Sequence, residues 1–141
     1  MIDWKNIFRL VAERVKDRSD SLLHTSKKFP RSGIEGWLKV EAARALGESV
    51  KKLKNRGPDI ELVKHQFIEL KGATDCNPSW IIQGIEKYQS EYQSLACLFI
   101  GSGRGIDNCI RELGKKSKIL NYEKFDVGSD KWIIGLICPK V

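Results

Sequence analysis

The chain has 141 residues, 25 Lys and Arg against 18 Asp and Glu, and a formal charge of +7. That length suits a single domain able to bury about two thirds of its unfolded surface, and 41% hydrophobic with 30% charged residues is an ordinary globular composition. No apolar run approaches the ~20 residues that span a bilayer, the first residues carry no signal-peptide core, and the four cysteines show no close pair that would argue for structural zinc.

From these features we expect no membrane partner and a cytoplasmic, reducing location, with the basic balance favouring a polyanion. Apolar positions at Trp4, Ile7, Phe8, Val11 and Val15 predict a helix over 3–18 with Asp3 as N-cap. Residues 19–33 are polar and read as a loop or short helix. A second helix is expected from 32 or 33 to 46, stopped by Gly47. Residues 48–55 read as a basic edge strand, where lysines discourage aberrant pairing. A hairpin and a loop over 72–78 follow, then a third helix capped by Ser79 and running to Ser90 or Ser94. Residues 95–100 form a continuous apolar strand, 107–116 a fourth helix, and 132–138 a last strand stopped by Pro139. Cys97, Cys138, Trp37, Trp80 and Trp132 read as core.

The hairpin carries the chemistry. Strand side chains alternate faces, so Ile60, Leu62, Ile68 and Leu70 share an apolar side, while Asp59, Glu61, Glu69 and Lys71 share a charged one. With a three-residue turn over 64–66 and His65 at its tip, Asp59 is expected opposite Lys71 and diagonal to Glu69. Two carboxylates that close repel unless a cation or a proton lies between them. Oxygen ligands with room for water suit Mg²⁺. A neighbouring lysine can position an attacking water or offset charge on a phosphorane-like transition state.

Pro58-Asp59 followed by Glu69-Leu70-Lys71 resembles the signature of the PD-(D/E)XK nuclease superfamily, the restriction-endonuclease-like phosphodiesterases. The expected order of elements over 32–100 is similar to that superfamily's αβββαβ core. The resemblance implies an α/β fold over 1–141, with a mixed central sheet flanked by helices. Residues 1–31 would be an N-terminal helical extension and 32–141 the nuclease-like core. It further implies an endonuclease or exonuclease using Mg²⁺ or Mn²⁺ on nucleic acid, with DNA the expected polymer. Asp59, Glu69 and the Leu70 carbonyl would hold metal, and Lys71 would act on water.

The superfamily adds an acid from the first core helix, for which Glu35 and Glu41 are candidates; Glu35 is the preferred metal ligand. Their six-residue separation turns them about 240° apart, so both cannot face one point. Gln83, with Tyr88, resembles a motif on the following helix of exonuclease and helicase-linked branches, although the spacing is one residue too long; it would orient water or phosphate.

Gly101-Ser102-Gly103-Arg104-Gly105 lacks the spacing of a dinucleotide fingerprint and reads as a flexible turn, with Arg104 able to reach a phosphate. A competing function is a catalytically inactive nucleic-acid-binding module, or an interaction subunit of a defence or repair complex. A homodimer or larger complex could supply selectivity that so short a chain has little room for.

Overall fold

The computed structural model describes residues 2–30 and 32–140; Met1, Arg31 and Val141 lie outside it, Arg31 at the boundary drawn between extension and core. Along the chain run α1 (Trp4–Asp17), α2 (Ser19–Lys28), α3 (Ser32–Leu46), β1 (Val50–Leu53), β2 (Ile60–Leu62) and β3 (Phe67–Gly72). They are followed by α4 (Pro78–Glu86), β4 (Leu95–Ser102), α5 (Ile106–Lys116), β5 (Ser117–Val127) and β6 (Asp130–Pro139). The strands form one mixed sheet in the order β1-β2-β3-β4-β6-β5. Among the described residues only β3 and β4 pair in parallel, joined by the α4 crossover. Among the described residues, no helix is long and apolar enough to cross a membrane.

The sheet is covered on both faces, which accounts for the unbroken apolar character of β4. On one face α1, α2 and α3 lay Ile7, Val11, Val15, Leu22, Ile34 and Leu38 over Ile60, Ile68, Leu70 and Leu98. On the other, Ile81, Ile82 and Ile85 of α4 and Leu113 of α5 pack on Leu95, Cys97 and Phe99. The α1 helix starts where expected, the Asp3 carboxylate accepting from the Lys5 amide. Gly47 ends α3 with φ +51°.

Several elements differ from the sequence expectation. Residues 19–28 are a full helix, tied to α3 where the Trp37 indole N–H donates to Ser21 Oγ over 3.0 Å. Strand β5 has no clear period-two pattern because a bulge between Ile119 and Asn121 resets the alternation. Helix α4 is capped by Asn77, whose side chain accepts from the Trp80 amide, with Pro78 at its first position, and it ends at Glu86. The hairpin loop comes one residue earlier than 64–66: Leu62 pairs with Gln66, and His65 takes the left-handed turn position at φ 58°. Gln66 is buried because its amide exchanges two hydrogen bonds with the Ile2 backbone, 64 residues away.

Cysteine use also departs from the reduced state expected. Cys76 and Cys109 form a disulfide, their Cα atoms 6.1 Å apart, joining the loop after β3 to α5. Sequence spacing could not reveal the pair, since packing of α5 beside α4 brings it together. Cys97 is fully buried and Cys138 half-buried.

Candidate active site

The one-residue shift of the hairpin loop determines how the charged residues meet. Ile60 pairs with Ile68 and Glu61 with Phe67, so the register continues to Asp59 opposite Glu69, not opposite Lys71. The chain leaves β3 at Pro58, which leaves the Leu70 amide without a strand partner on that side; Asp59 Oδ2 accepts from it over 2.9 Å. An extended residue's N–H and C=O point to the same edge. The Leu70 carbonyl therefore faces the same gap between β2 and β3. The backbone amide of Lys54 donates to the Asp59 carbonyl over 2.9 Å, and Lys39 Nζ lies 3.6 Å from Asp59 Oδ1, so Asp59 is held at both backbone and side chain.

Glu69 is only 7% exposed. Its carboxyl is pushed up to about 8, first by burial and then by a hydrogen bond and charge repulsion from Asp59, against the opposing pull of Lys71. The Asp59–Glu69 pair thus favours holding a proton near neutrality. Beside Glu69 lies Cys97, its register partner on β4, whose thiol burial holds well above the ordinary range. Lys71 shares this face and sits 4.8 Å from the centre of the Trp80 ring, a cation–π contact that fixes the ammonium over α4. Trp80 is thereby half-exposed beside the acids and is not a core residue.

Gly84 explains how α4 comes so close. A Cβ there would lie 3.1 Å from Glu69 Cγ and 3.2 Å from Lys71 Cε, so the missing side chain is the space those residues occupy. This outweighs the ~1 kcal/mol a mid-helix glycine costs relative to alanine. Gln83, the next residue back, is exposed on α4 at the rim. Lys87 at the helix C-cap adds positive charge that Glu69 and Asp59 feel, its pKa raised chiefly by a hydrogen bond with Tyr88.

The two acids of α3 separate as their helical phase requires. Glu35, in the first turn, abuts the end of β3; Gly72 permits this, since a Cβ there would meet Ile34 Cγ2 at 3.0 Å and the Glu35 nitrogen at 3.4 Å. Burial raises the Glu35 pKa, Lys71 lowers it, and Asp59 raises it again. Its Oε1 is buried without a hydrogen-bond partner. Glu41 lies elsewhere. Its carboxylate is 3.0 Å from Arg14 Nε, 3.9 Å from Arg18 Nε and 3.8 Å from Arg44, binding α3 to α1. Glu41 is therefore not brought to the site, and its role is structural.

The structure thus brings together Asp59, Glu69, Lys71 and Glu35, with the Leu70 backbone. Asp59 and Glu69 are in contact, and Glu35 stands at charge-interaction range; no group of three or more His, Cys, Asp or Glu side chains is closed around one point among the described residues. Lys39, Trp80, Gly72 and Gly84 escaped sequence reasoning. Of these, Gly84 left a signal, as a glycine in the middle of an apolar helix. No family model, curated protein or solved structure matches the chain.

Proposed function

We propose that the chain is a metal-dependent nuclease with a restriction-endonuclease-like core, hydrolysing phosphodiester bonds of nucleic acid, with DNA as the polymer. The observation that carries this reading is the apposition of Asp59 and Glu69 beside Lys71: two carboxyls in contact occupy a place suited to a cation. The α3-β1-β2-β3-α4-β4 order and the position of Glu35 at the end of β3 support the same fold.

The donor set fits a hard divalent ion. All candidate ligands are oxygens, and the buried Glu35 Oε1 has no hydrogen-bond partner among the described residues. Asp59, Glu69, the Leu70 carbonyl and Glu35 would hold Mg²⁺ or Mn²⁺, which when bound would supply Lewis-acid stabilisation of charge on the scissile phosphate. The protein's own groups do the rest. Lys71, oriented by the Trp80 ring, donates to the attacking water and offsets negative charge gathering on the phosphate. Asp59 keeps its position through the Leu70 amide, and Lys39 fixes its second oxygen. Gln83 at the rim is placed to hydrogen-bond a flanking phosphate.

The test is incubation of supercoiled, linear and branched DNA with the chain and Mg²⁺ or Mn²⁺. Cleavage is expected, falling about 10²–10⁴-fold in Lys71→Ala and disappearing in Asp59→Ala, with both variants folded by circular dichroism. Intact DNA under every condition overturns the assignment, and salt-sensitive binding without cleavage would make the chain a binding module.

A further inference from the structure

A second cavity lies at the same end of the sheet, beyond the carboxyl ends of β3 and β4. Its volume is about 630 Å³, and none of Asp59, Glu69, Lys71 or Glu35 lines it. Its walls come from the end of α2, from the glycine-rich turn after β4, and from the β5–β6 hairpin. Lys27, Arg104 and Lys131 bring three cations to it against one carboxylate, Asp130. Lys131 also pairs with Asp126, 2.7 Å away, whereas neither Lys27 nor Arg104 is in an ion pair among the described residues.

Trp132 is among its lining residues and is 1% exposed. The Trp132 indole Nε1 is one of two buried side-chain polar atoms without a hydrogen-bond partner among the described residues; the other is Glu35 Oε1. An indole nitrogen can only donate, and a buried donor left unpaired costs about 1–3 kcal/mol. The turn leads into a helix N-terminus. Gly103 has φ +106° and its amide donates to the Lys131 carbonyl over 3.4 Å, while α5 starts at Ile106 with Gly105 as its N-cap and no side chain capping its first amides. Asp107, in that first turn, is engaged by Lys124.

We propose that this cavity binds a phosphate group, held by Arg104 and Lys27, with Trp132 Nε1 as a buried donor. On the nuclease reading, on which this part rests, the phosphate belongs to the strand being cut. Lys71 lies beside Phe99 and Ser102 is three residues further along β4. At ~3.3 Å per residue that is about 10 Å along β4, with Trp132 packed on the sheet face opposite Lys71. On this reading the cavity is a second anchor for the strand at the end of the sheet. A free phosphate monoester shares the chemistry and is the other source.

The experiment uses the full ¹⁵N-labelled chain in EDTA, titrated separately with inorganic phosphate, AMP and a short DNA oligonucleotide. The oligonucleotide should give saturable shifts of the Gly103 and Arg104 amides and the Trp132 indole N–H, preserved in Asp59→Asn. The Lys27→Ala/Arg104→Ala double variant should bind it about tenfold more weakly, with the slope of log affinity against log salt reduced by about 1. Saturation by AMP or phosphate, with oligonucleotide affinity unchanged in the double variant, keeps the phosphate site and retires its role in holding the strand. No shift at these three groups with any ligand overturns the proposal. Cleavage without those shifts sinks the cavity alone, and the shifts without cleavage sink the nuclease reading alone.

Discussion

The proton on Glu69 makes a measurable demand on stability. Its carboxyl titrates from 4.5 in the unfolded chain to about 8 in the folded one, so between those values the native state holds a proton that the unfolded state has released. Stability must then fall as pH rises through this window, being greatest below the unfolded value and lost through the folded one. At about 1.4 kcal/mol per unit, the full shift corresponds to roughly 5 kcal/mol, an upper figure because Asp59 shares the titration. Glu35, also raised by burial, adds the same sign. Urea unfolding in EDTA, followed from about pH 5 to 9, should show the native chain losing up to ~1.4 kcal/mol per unit near neutrality. Glu69→Gln, which keeps the shape and removes the charge, should flatten much of that slope and exceed the native chain in stability at the alkaline end. Adding Mg²⁺ should restore the native chain most at high pH, because a bound cation takes the proton's place. Equal slopes in the native chain and Glu69→Gln would refute the buried, Asp59-opposed carboxyl on which the active-site argument depends.

Glu41→Ala should lower stability by about 1–3 kcal/mol, less than a fully buried pair would lose because the three arginines can turn to solvent, while metal-dependent cleavage per folded molecule stays the same. Urea midpoints measured beside cleavage rates check this. Reduction of Cys76–Cys109 opens a link of sequence separation 33 and should cost about 4 kcal/mol by loop entropy, seen as a lower urea midpoint in dithiothreitol. Gly84→Val places methyls against Glu69 Cγ and Lys71 Cε; about 1–3 kcal/mol of overpacking is expected, with a larger loss in cleavage than in stability.

The legible and illegible parts of the site divide by the range of the forces that set them. Period-two alternation is local, so the shared face of Glu69 and Lys71 can be read from their neighbours Ile68 and Leu70. The cross-strand partner of Asp59 cannot, because it depends on which residue adopts the left-handed turn. His65 does so without any glycine to mark it, and Gln66 is drawn into the ladder by Ile2 at the far end of the chain. The helix phase separates Glu35 from Glu41, but choosing between them needs the position of α1, whose Arg14 and Arg18 claim Glu41. The contact of Trp80 with Lys71 depends on α4 coming close at Gly84, and β5 is hidden by its bulge.

The treatment of buried acid differs sharply between the two ends of α3. Glu41 is surrounded by three arginines, cations that cannot give up their charge. Among the described residues only Asp59 of the acids Glu35, Asp59 and Glu69 forms an ion pair, with Lys39, while Lys71 and Lys87 act at longer range, so the acids outnumber their ion pairs. A fold needing only stability could place an arginine there as it does at Glu41, or an amide in place of Glu69. Instead the excess is met by a proton whose pKa lies near neutrality, which a competing cation can displace without breaking any backbone contact. The same strand that carries this exchangeable charge also holds Asp59 rigidly through the Leu70 amide. A movable charge on a fixed frame is what binding a divalent ion requires, and what a structural ion pair like that of Glu41 avoids.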